Sequence, residues 1–214
     1  MITDEPTVSR LPARFIREAV TVLRDAFQQD PIFEFHFPDS VLRARALEAF
    51  FDDVIRAHMR FRHVYAAMSG DRLVGAAVWR PPHATADTWR DRLRAFITRC
   101  RLMMLSKDAA RKLLRGFAAL EATHPRVPHW YLFFIGLDPA LRGHGIGAWL
   151  MAPVLKAADA TCSLCYLETP FPQTIEFYRK LGYEVTSEPR PFPGAPQLWA
   201  MTREPSMTIP ARGT

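Results

Sequence analysis

Apolar residues recur along this chain with two different periods, and the blocks in which they do so lay out an order of elements. Phe15, Ile16, Ala19, Val20, Leu23, Ala26 and Phe27 fall three and four residues apart, which predicts an amphipathic helix over Ala13 to Gln28. A strand is expected just before it, near Thr7 to Leu11. Leu47, Phe50, Phe51, Val54 and Ile55 form the apolar face of a second helix, for which Ser40 is a suitable cap. Between the two, Asp30 to Asp39 is too rich in proline to continue a helix and reads as a loop loaded with aromatics. His63 to Met68 and Leu73 to Trp79 are short apolar runs joined by Ser69-Gly70-Asp71. That is a hairpin signal, ended by Pro81-Pro82.

The helical period returns between Thr85 and Thr123. Trp89, Leu93, Phe96, Ile97, Cys100 and Met104 make one stripe, and Leu113, Phe117 and Leu120 make another. These predict a helical hairpin that covers a binding site or forms an oligomer contact, with Met103 and Met104 as flexible core filling. Trp130 to Leu137 is then apolar in seven of eight positions, the mark of a strand buried on both faces. After the turn at Asp138-Pro139, Ile146, Leu150 and Val154 start the stripe of a helix that runs to about Asp159 with Pro153 inside it, where one intrahelical bond is lost. Leu164 to Glu168 predicts a further strand, followed by a helix that ends at Gly182. Tyr183 to Thr186 and Gln197 to Thr202 form a closing antiparallel pair, and the tail after Glu204 reads as mobile. The whole predicts one domain over residues 1–205 with an insertion at about 85–123, and a mobile tail at 206–214.

The densest chemical signal lies between the apolar strand and the helix after it. Gly143, Gly145 and Gly147 strip side chains from a segment that opens a helix, where up to four backbone N–H groups lack partners and a partial positive charge gathers. Such a segment suits a phosphate, and Arg142 stands beside it. Three readings stay open on the glycines alone: a pyrophosphate cradle, a dinucleotide fingerprint and a plain turn. Residues 143–148 fit G-x-G-x-x-A, with Glu168 at the distance of a ribose-binding acid. Against a nicotinamide-dependent oxidoreductase stand the five residues between Leu137 and Gly143 and the short remainder of chain after Glu168. A Walker loop fails because Ala148-Trp149 follows Gly147.

Arg142-Gly143-His144-Gly145-Ile146-Gly147 resembles the [Q/R]-x-x-G-x-[G/A] loop of the GNAT superfamily of N-acetyltransferases. The preceding strand, ending Gly136-Leu137-Asp138-Pro139, and Phe177-Tyr178-Arg179-Lys180-Leu181-Gly182-Tyr183 also look like that family. Trp130-Tyr131-Leu132 and Leu198-Trp199-Ala200-Met201 resemble a branch that includes puromycin N-acetyltransferase. The resemblance implies an α/β (α+β) GNAT fold, a mixed, mostly antiparallel central sheet flanked by helices, here with the inserted hairpin. It implies acetyl-coenzyme A as co-substrate, no metal, and acetyl transfer to an amine. A small-molecule acceptor is expected; a protein N-terminus or lysine, or an acyl-coenzyme A sensor without catalysis, are the alternatives.

Carried over by the same resemblance, the coenzyme contacts are expected at Ile135, Leu137, Arg142, Gly143, His144, Gly145, Ile146, Gly147, Ala148 and Thr174. Thr174 stands near where relatives often carry an asparagine. Tyr178 matches the tyrosine whose hydroxyl lies near the coenzyme sulfur, and is expected to be the general acid. Glu168, at the end of a strand, is the leading base, since no acid lies within Tyr131 to Leu137. The segment after the first helix borders the acceptor site in the family, which places Phe33, Glu34, Phe35 and His36, with Phe37, at the acceptor.

Composition narrows the remaining choices. Hydrophobic content of 49% and aromatic content of 12% exclude a disordered chain, while the longest apolar run falls short of the roughly 20 residues that span a bilayer. The polar start MITDEPTVSR lacks an apolar signal core, so a cytoplasmic protein without a membrane partner is expected. The formal charge of +6 is carried by 24 arginines and four lysines, which favours anionic ligands. No dense basic run accompanies it, so no nucleic-acid partner is expected; a homodimer remains open. Three cysteines, an odd number, argue against a disulfide framework, and Cys162-x-x-Cys165 lacks the second pair that zinc requires.

Overall fold

Strands buried on both faces lose the alternation of half-exposed ones. Two such strands sit at the centre of the computed structural model, which describes residues 6–84 and 88–206. β3 (Arg72–Arg80) is buried from Leu73 to Trp79, and β4 (His129–Leu137) pairs with it antiparallel. Around them lie β1 (Thr7–Arg10), β2 (Val64–Ser69), β5 (Leu164–Thr169), β6 (Glu184–Ser187) and β7 (Trp199–Arg203). Among the described residues the 7 strands run in the order β1-β2-β3-β4-β5-β7-β6, antiparallel at every junction except β4–β5. This is the mixed, mostly antiparallel sheet that the sequence led us to expect. Thr85, at the predicted start of the insertion, and the tail residues 207–214 lie outside the described residues.

The one parallel junction is also the shortest of the inner ladders. β4 and β5 pair only at His129 with Leu164, Trp130 with Cys165 and Tyr131 with Tyr166. Beyond these, β4 follows β3 as far as Leu137 opposite Gly75, and β5 follows β7 as far as Thr169 opposite Trp199. The two strands therefore part in mid-sheet. A register shift at Val78/Trp79 leaves Phe133 as an extra residue on β4, and such bulges re-aim the side chains around them.

Each face of the sheet has its own apolar core. On one, α1 (Ile16–Ala26) and α3 (Ser40–His58) pack with Phe27, Phe50, Phe51 and Phe134, the last two with ring centroids 5.1 Å apart and nearly perpendicular. On the other, α6 (Ile146–Ala160) and α7 (Pro172–Lys180) cover Trp79, Trp130 and Leu132. Gly136 lets α1 approach β4 closely, because a Cβ there would stand 2.8 Å from Leu23 and 2.9 Å from Ala26.

Three expectations need correction. The segment after α1 is no loop: α2 (Pro31–His36) forms because proline is at home in a first helical turn, and Asp30 Oδ1 accepts from the N–H of Ile32 and Phe33. The cap of α3 is Asp39, whose carboxylate accepts from Leu42 N–H, and not Ser40. The hairpin forms as α4 (Trp89–Leu105) and α5 (Lys107–Glu121), but α4 turns its stripe outward. Its buried residues are Thr98 and Leu102; Met104, expected as core filling, is 79% exposed. Only Met103 of that pair packs against the core. Both faces of the sheet are covered by α1, α3, α6 and α7, and α4 anchors by Thr98 and Leu102, which leaves its stripe on the side away from the body.

Candidate active site

Gly145 caps α6 with φ +78, a backbone state that favours glycine. It brings no side-chain acceptor to the helix start, and among the described residues the N–H groups of Ile146 and Gly147 meet no protein acceptor. A Cβ built at Gly143 or Gly145 would find nothing within 4 Å, so the space in front of these amides is open. Free donors, a helix N-terminus and room for close approach fit a pyrophosphate. Arg142 lies alongside, its guanidinium donating to Ala26 O at 3.3 Å. His144 points to solvent and its Nδ1 stands 3.0 Å from Arg142 O, while Ala148 N–H is taken by Gly145 O.

From this cradle a cavity of about 640 Å³ runs through the parting of β4 and β5 to the underside of α2 and α5. Of the residues expected at the coenzyme, Ile135, Leu137, Arg142, Gly143, Gly145, Ile146, Gly147 and Thr174 line it; His144 and Ala148 do not. The Thr174 hydroxyl is engaged within its own turn, donating to Phe171 O at 2.8 Å and standing 2.9 Å from the Thr169 hydroxyl.

Tyr178 and Glu168 both line this cavity. Tyr178 is held by α7 and is buried; desolvation raises its phenol above the ordinary value and keeps the proton on at neutral pH. The Glu168 side chain is 5% exposed, and His124 Nε2 stands 3.2 Å from its Oε1, near enough for an ion pair but not aligned as a hydrogen bond. Tyr131 and Tyr166 flank the same carboxylate. Both phenols are raised, first by burial and then by the charge of Glu168. His124 itself faces a second, polar cavity of about 290 Å³ shared with Arg80, Glu121 and His129. Tyr131 lines both cavities, so the Glu168–His124 contact lies between them.

At the far end the wall is aromatic: Phe27, Phe33, Phe117 and Phe133, with Leu120 and Leu198. Of the four residues expected at the acceptor, Phe33 alone lines the cavity. Glu34 turns to Arg43, 3.4 Å away; Phe35 is exposed; and His36 is buried outside the cavity. Burial, aided by the charge of Lys112, pushes the His36 imidazole down to about 4, so it is neutral at physiological pH. Phe37 belongs to the core.

Two residues of the site escaped the sequence reading. Asp30 is 2% exposed and lines the cavity; burial, the largest influence, outweighs the hydrogen bonds from Phe33 and Ile32 N–H and pushes its carboxyl up to about 7. The dipeptide Asp30-Pro31 before an apolar stretch is a helix-start signal that would have found it. For His124 no local signal exists, because 44 residues separate it from Glu168 and only the end of α5 brings it there.

A sheet parted at its single parallel junction, with a glycine-capped helix at the mouth of the gap and an acid–phenol pair inside it, defines a class of group-transfer fold. The family model described as acetyltransferase (GNAT) family matches residues 22–183. The chain belongs to that family, whose class is acyl-coenzyme A-dependent N-acetyl transfer. A mycothiol acetyltransferase of Mycobacterium sp. (strain JLS) is 30% identical over 122 residues; these are 52% of this chain and 40% of that relative, so the match spans less than half of the relative's length. An uncharacterized N-acetyltransferase of Schizosaccharomyces pombe is 23% identical over 183 residues, 81% of this chain and 72% of the relative. Among solved structures, a Corynebacterium glutamicum protein described as histone acetyltransferase HPA2 and related acetyltransferase superposes with TM-score 0.66 at 23% identity, covering 96% of this chain and 99% of that one. An agmatine N-acetyltransferase superposes with TM-score 0.68 at 17% identity, covering 94% and 100%. At such identities the two structures speak for the fold.

Proposed function

We propose that this chain transfers acetyl from acetyl-coenzyme A to the amine of a small molecule with an apolar or aromatic body. The observation that carries the reading is the pairing of two buried carboxylates, Glu168 and Asp30, with an aromatic wall in one cavity. A cationic amine is drawn to the acids while its body replaces water against Phe33, Phe117 and Phe133. The aromatic end, bounded by α2 and α5, suits a small acceptor better than a peptide. The two runs that resemble the puromycin N-acetyltransferase branch fall on β4 and at the start of β7, Leu198 just before it; Tyr131, Leu132 and Leu198 line the cavity, which agrees with an aromatic amine as acceptor.

When bound, acetyl-coenzyme A supplies a thioester carbonyl as electrophile. The N–H groups of Ile146 and Gly147 and the guanidinium of Arg142 hold its pyrophosphate, and the parted strands receive its extended arm. Glu168 removes the ammonium proton of the acceptor, a step that is needed because a model amine has a pKa of ~10.4. That proton leaves Glu168 towards the polar cavity behind it, at whose border His124 stands. The neutral amine nitrogen forms its bond to the acetyl carbon as the carbon–sulfur bond breaks; Tyr178 gives its proton to the departing sulfur, and the second proton, shed by the acylated nitrogen, returns to the Tyr178 phenolate. Asp30 is assigned to binding of the amine.

The test is thiol release on a panel of arylalkylamines, aliphatic polyamines and amino-terminal peptides. Arylalkylamines are expected to give the highest kcat/KM. A preference for peptides would replace this reading by protein acetylation, and tight coenzyme binding without release on any amine would replace it by a sensor.

A further inference from the structure

The outward stripe of α4 is the largest feature that the reaction leaves unused. Trp89, Leu93, Phe96, Ile97 and Met104 are between 43% and 79% exposed, with Cys100 half-buried among them. At 3.6 residues per turn these six fall within an arc of about 100°. Thr98 and Leu102, which anchor α4 to the body, lie on the opposite side of the same wheel. The stripe therefore faces away from the protein. It is also fixed there: Thr88 and Asp91 close a capping box, and Asp91 holds Arg60 at 3.0 Å and Arg94 at 3.5 Å.

The borders of the stripe say what covers it. Arg92 and Arg99 flank it on one side, and Arg90, Arg94 and Arg101 on the other; the helix carries no other cation and one acid, Asp91. Among the described residues no carboxylate lies within ion-pair distance of Arg92, Arg99 or Arg101. A second copy docked by the same face would set arginine border against arginine border, which is repulsive. An apolar strip between two rows of guanidinium groups instead matches the boundary of a bilayer, where acyl chains lie beneath a layer of phosphates. Tryptophan at the helix start suits the same depth. Among the described residues no helix is long and apolar enough to cross a membrane, so the contact is lateral.

We propose that α4 is an interfacial helix that seats this protein on an anionic lipid surface, with Phe96 and Ile97 entering the acyl layer and the arginines on headgroup phosphates. This revises the expectation of no membrane partner. The experiment is sedimentation of the full chain with vesicles of phosphatidylcholine alone and of phosphatidylcholine mixed with phosphatidylglycerol. Selective pelleting with the anionic vesicles is expected, falling with salt. Phe96→Ser with Ile97→Ser should reduce it at least about 10-fold, and Arg92→Gln with Arg99→Gln and Arg101→Gln on the order of 10²-fold or more. All five positions are exposed, so unfolding should not intervene, and an unchanged melting curve checks this. Three results overturn the proposal: no pelleting with anionic vesicles, equal pelleting with both kinds, or variants that pellet like the wild type. A dimer that dissociates in the Phe96→Ser variant while vesicles bind nothing would assign the face to a second copy instead.

Discussion

His124 Nε2 stands 3.2 Å from Glu168 Oε1, although the two arrive from different parts of the fold, one just beyond α5 and the other from β5. The contact joins the main cavity to the polar one behind it. If Glu168 is the base, Glu168→Gln should lower kcat by roughly 10²–10⁴-fold with little change in coenzyme affinity. His124→Ala should cost less in rate. Thiol-release kinetics across pH, with coenzyme affinity measured separately, decide it; a Glu168→Gln protein with wild-type kcat would remove the residue from the chemistry.

Tyr178→Phe removes a hydroxyl and keeps the ring that packs in the core beside Tyr183, centroids 6.0 Å apart. Loss of a general acid predicts a fall in turnover of roughly 10²–10⁴-fold where chemistry limits the rate. The melting temperature and coenzyme affinity should change far less. Turnover that survives intact would leave Tyr178 as a packed residue.

At the cradle, Gly145→Asp adds a side chain at φ +78 and a negative charge where the proposed pyrophosphate would approach. Calorimetric coenzyme affinity should fall by at least about 10²-fold, more than the roughly 1 kcal/mol expected from backbone strain alone. A folded variant with undiminished affinity would place the pyrophosphate elsewhere.

Asp30 yields a prediction with a definite sign. Its carboxyl is raised to about 7 in the fold against an ordinary value of 3.8, so the folded state binds the proton more tightly than the unfolded chain does. Its contribution to stability is therefore complete below about pH 4 and is lost as pH rises through 7, a change of order a few kcal/mol at most. Asp30→Asn keeps an oxygen for the Ile32 and Phe33 N–H groups and should flatten that slope. In denaturant titrations from pH 5 to 8, a variant as pH-dependent as the wild type would contradict this. The same substitution should raise KM for the amine.

Gly136→Ala tests the fit of α1 on β4. The added methyl would lie 2.9 Å from Ala26 and 2.8 Å from Leu23, so the helix must move, at a cost of roughly 1–3 kcal/mol by denaturant unfolding. An unchanged midpoint would show that α1 yields freely.

Elements whose apolar period is long and whose ends carry glycine or proline were readable from sequence: α1, the β2–β3 hairpin, β4 and α6 fall within a few residues of expectation. The glycine-capped start of α6 was readable too, because it is a matter of backbone geometry and lies in one stretch. Failure came where the answer depends on what else occupies the space. The α4 stripe has the period of a buried face, but the period does not say which side of a helix the rest of the molecule will need. Asp30 was hidden by its prolines, read as helix breakers when Pro31 opens a helix. His124 depends on where a hairpin of more than thirty residues returns, which no local pattern encodes.

The parting of β4 and β5 has a consequence outside catalysis. Strands usually end their hydrogen bonding at the rim of a sheet, where charges and irregularities ward off other chains. Here two inner strands stop pairing with each other after three rungs, and of the borders they leave, the one from Leu132 to Leu137 is apolar while the one from Leu167 to Thr169 carries Glu168. Such borders are templates for aggregation, protected only by their recess and by whatever extended molecule fills the gap. Cofactor supply then bears on solubility as well as on turnover: an occupant of the cleft is a chaperone for the strands it separates.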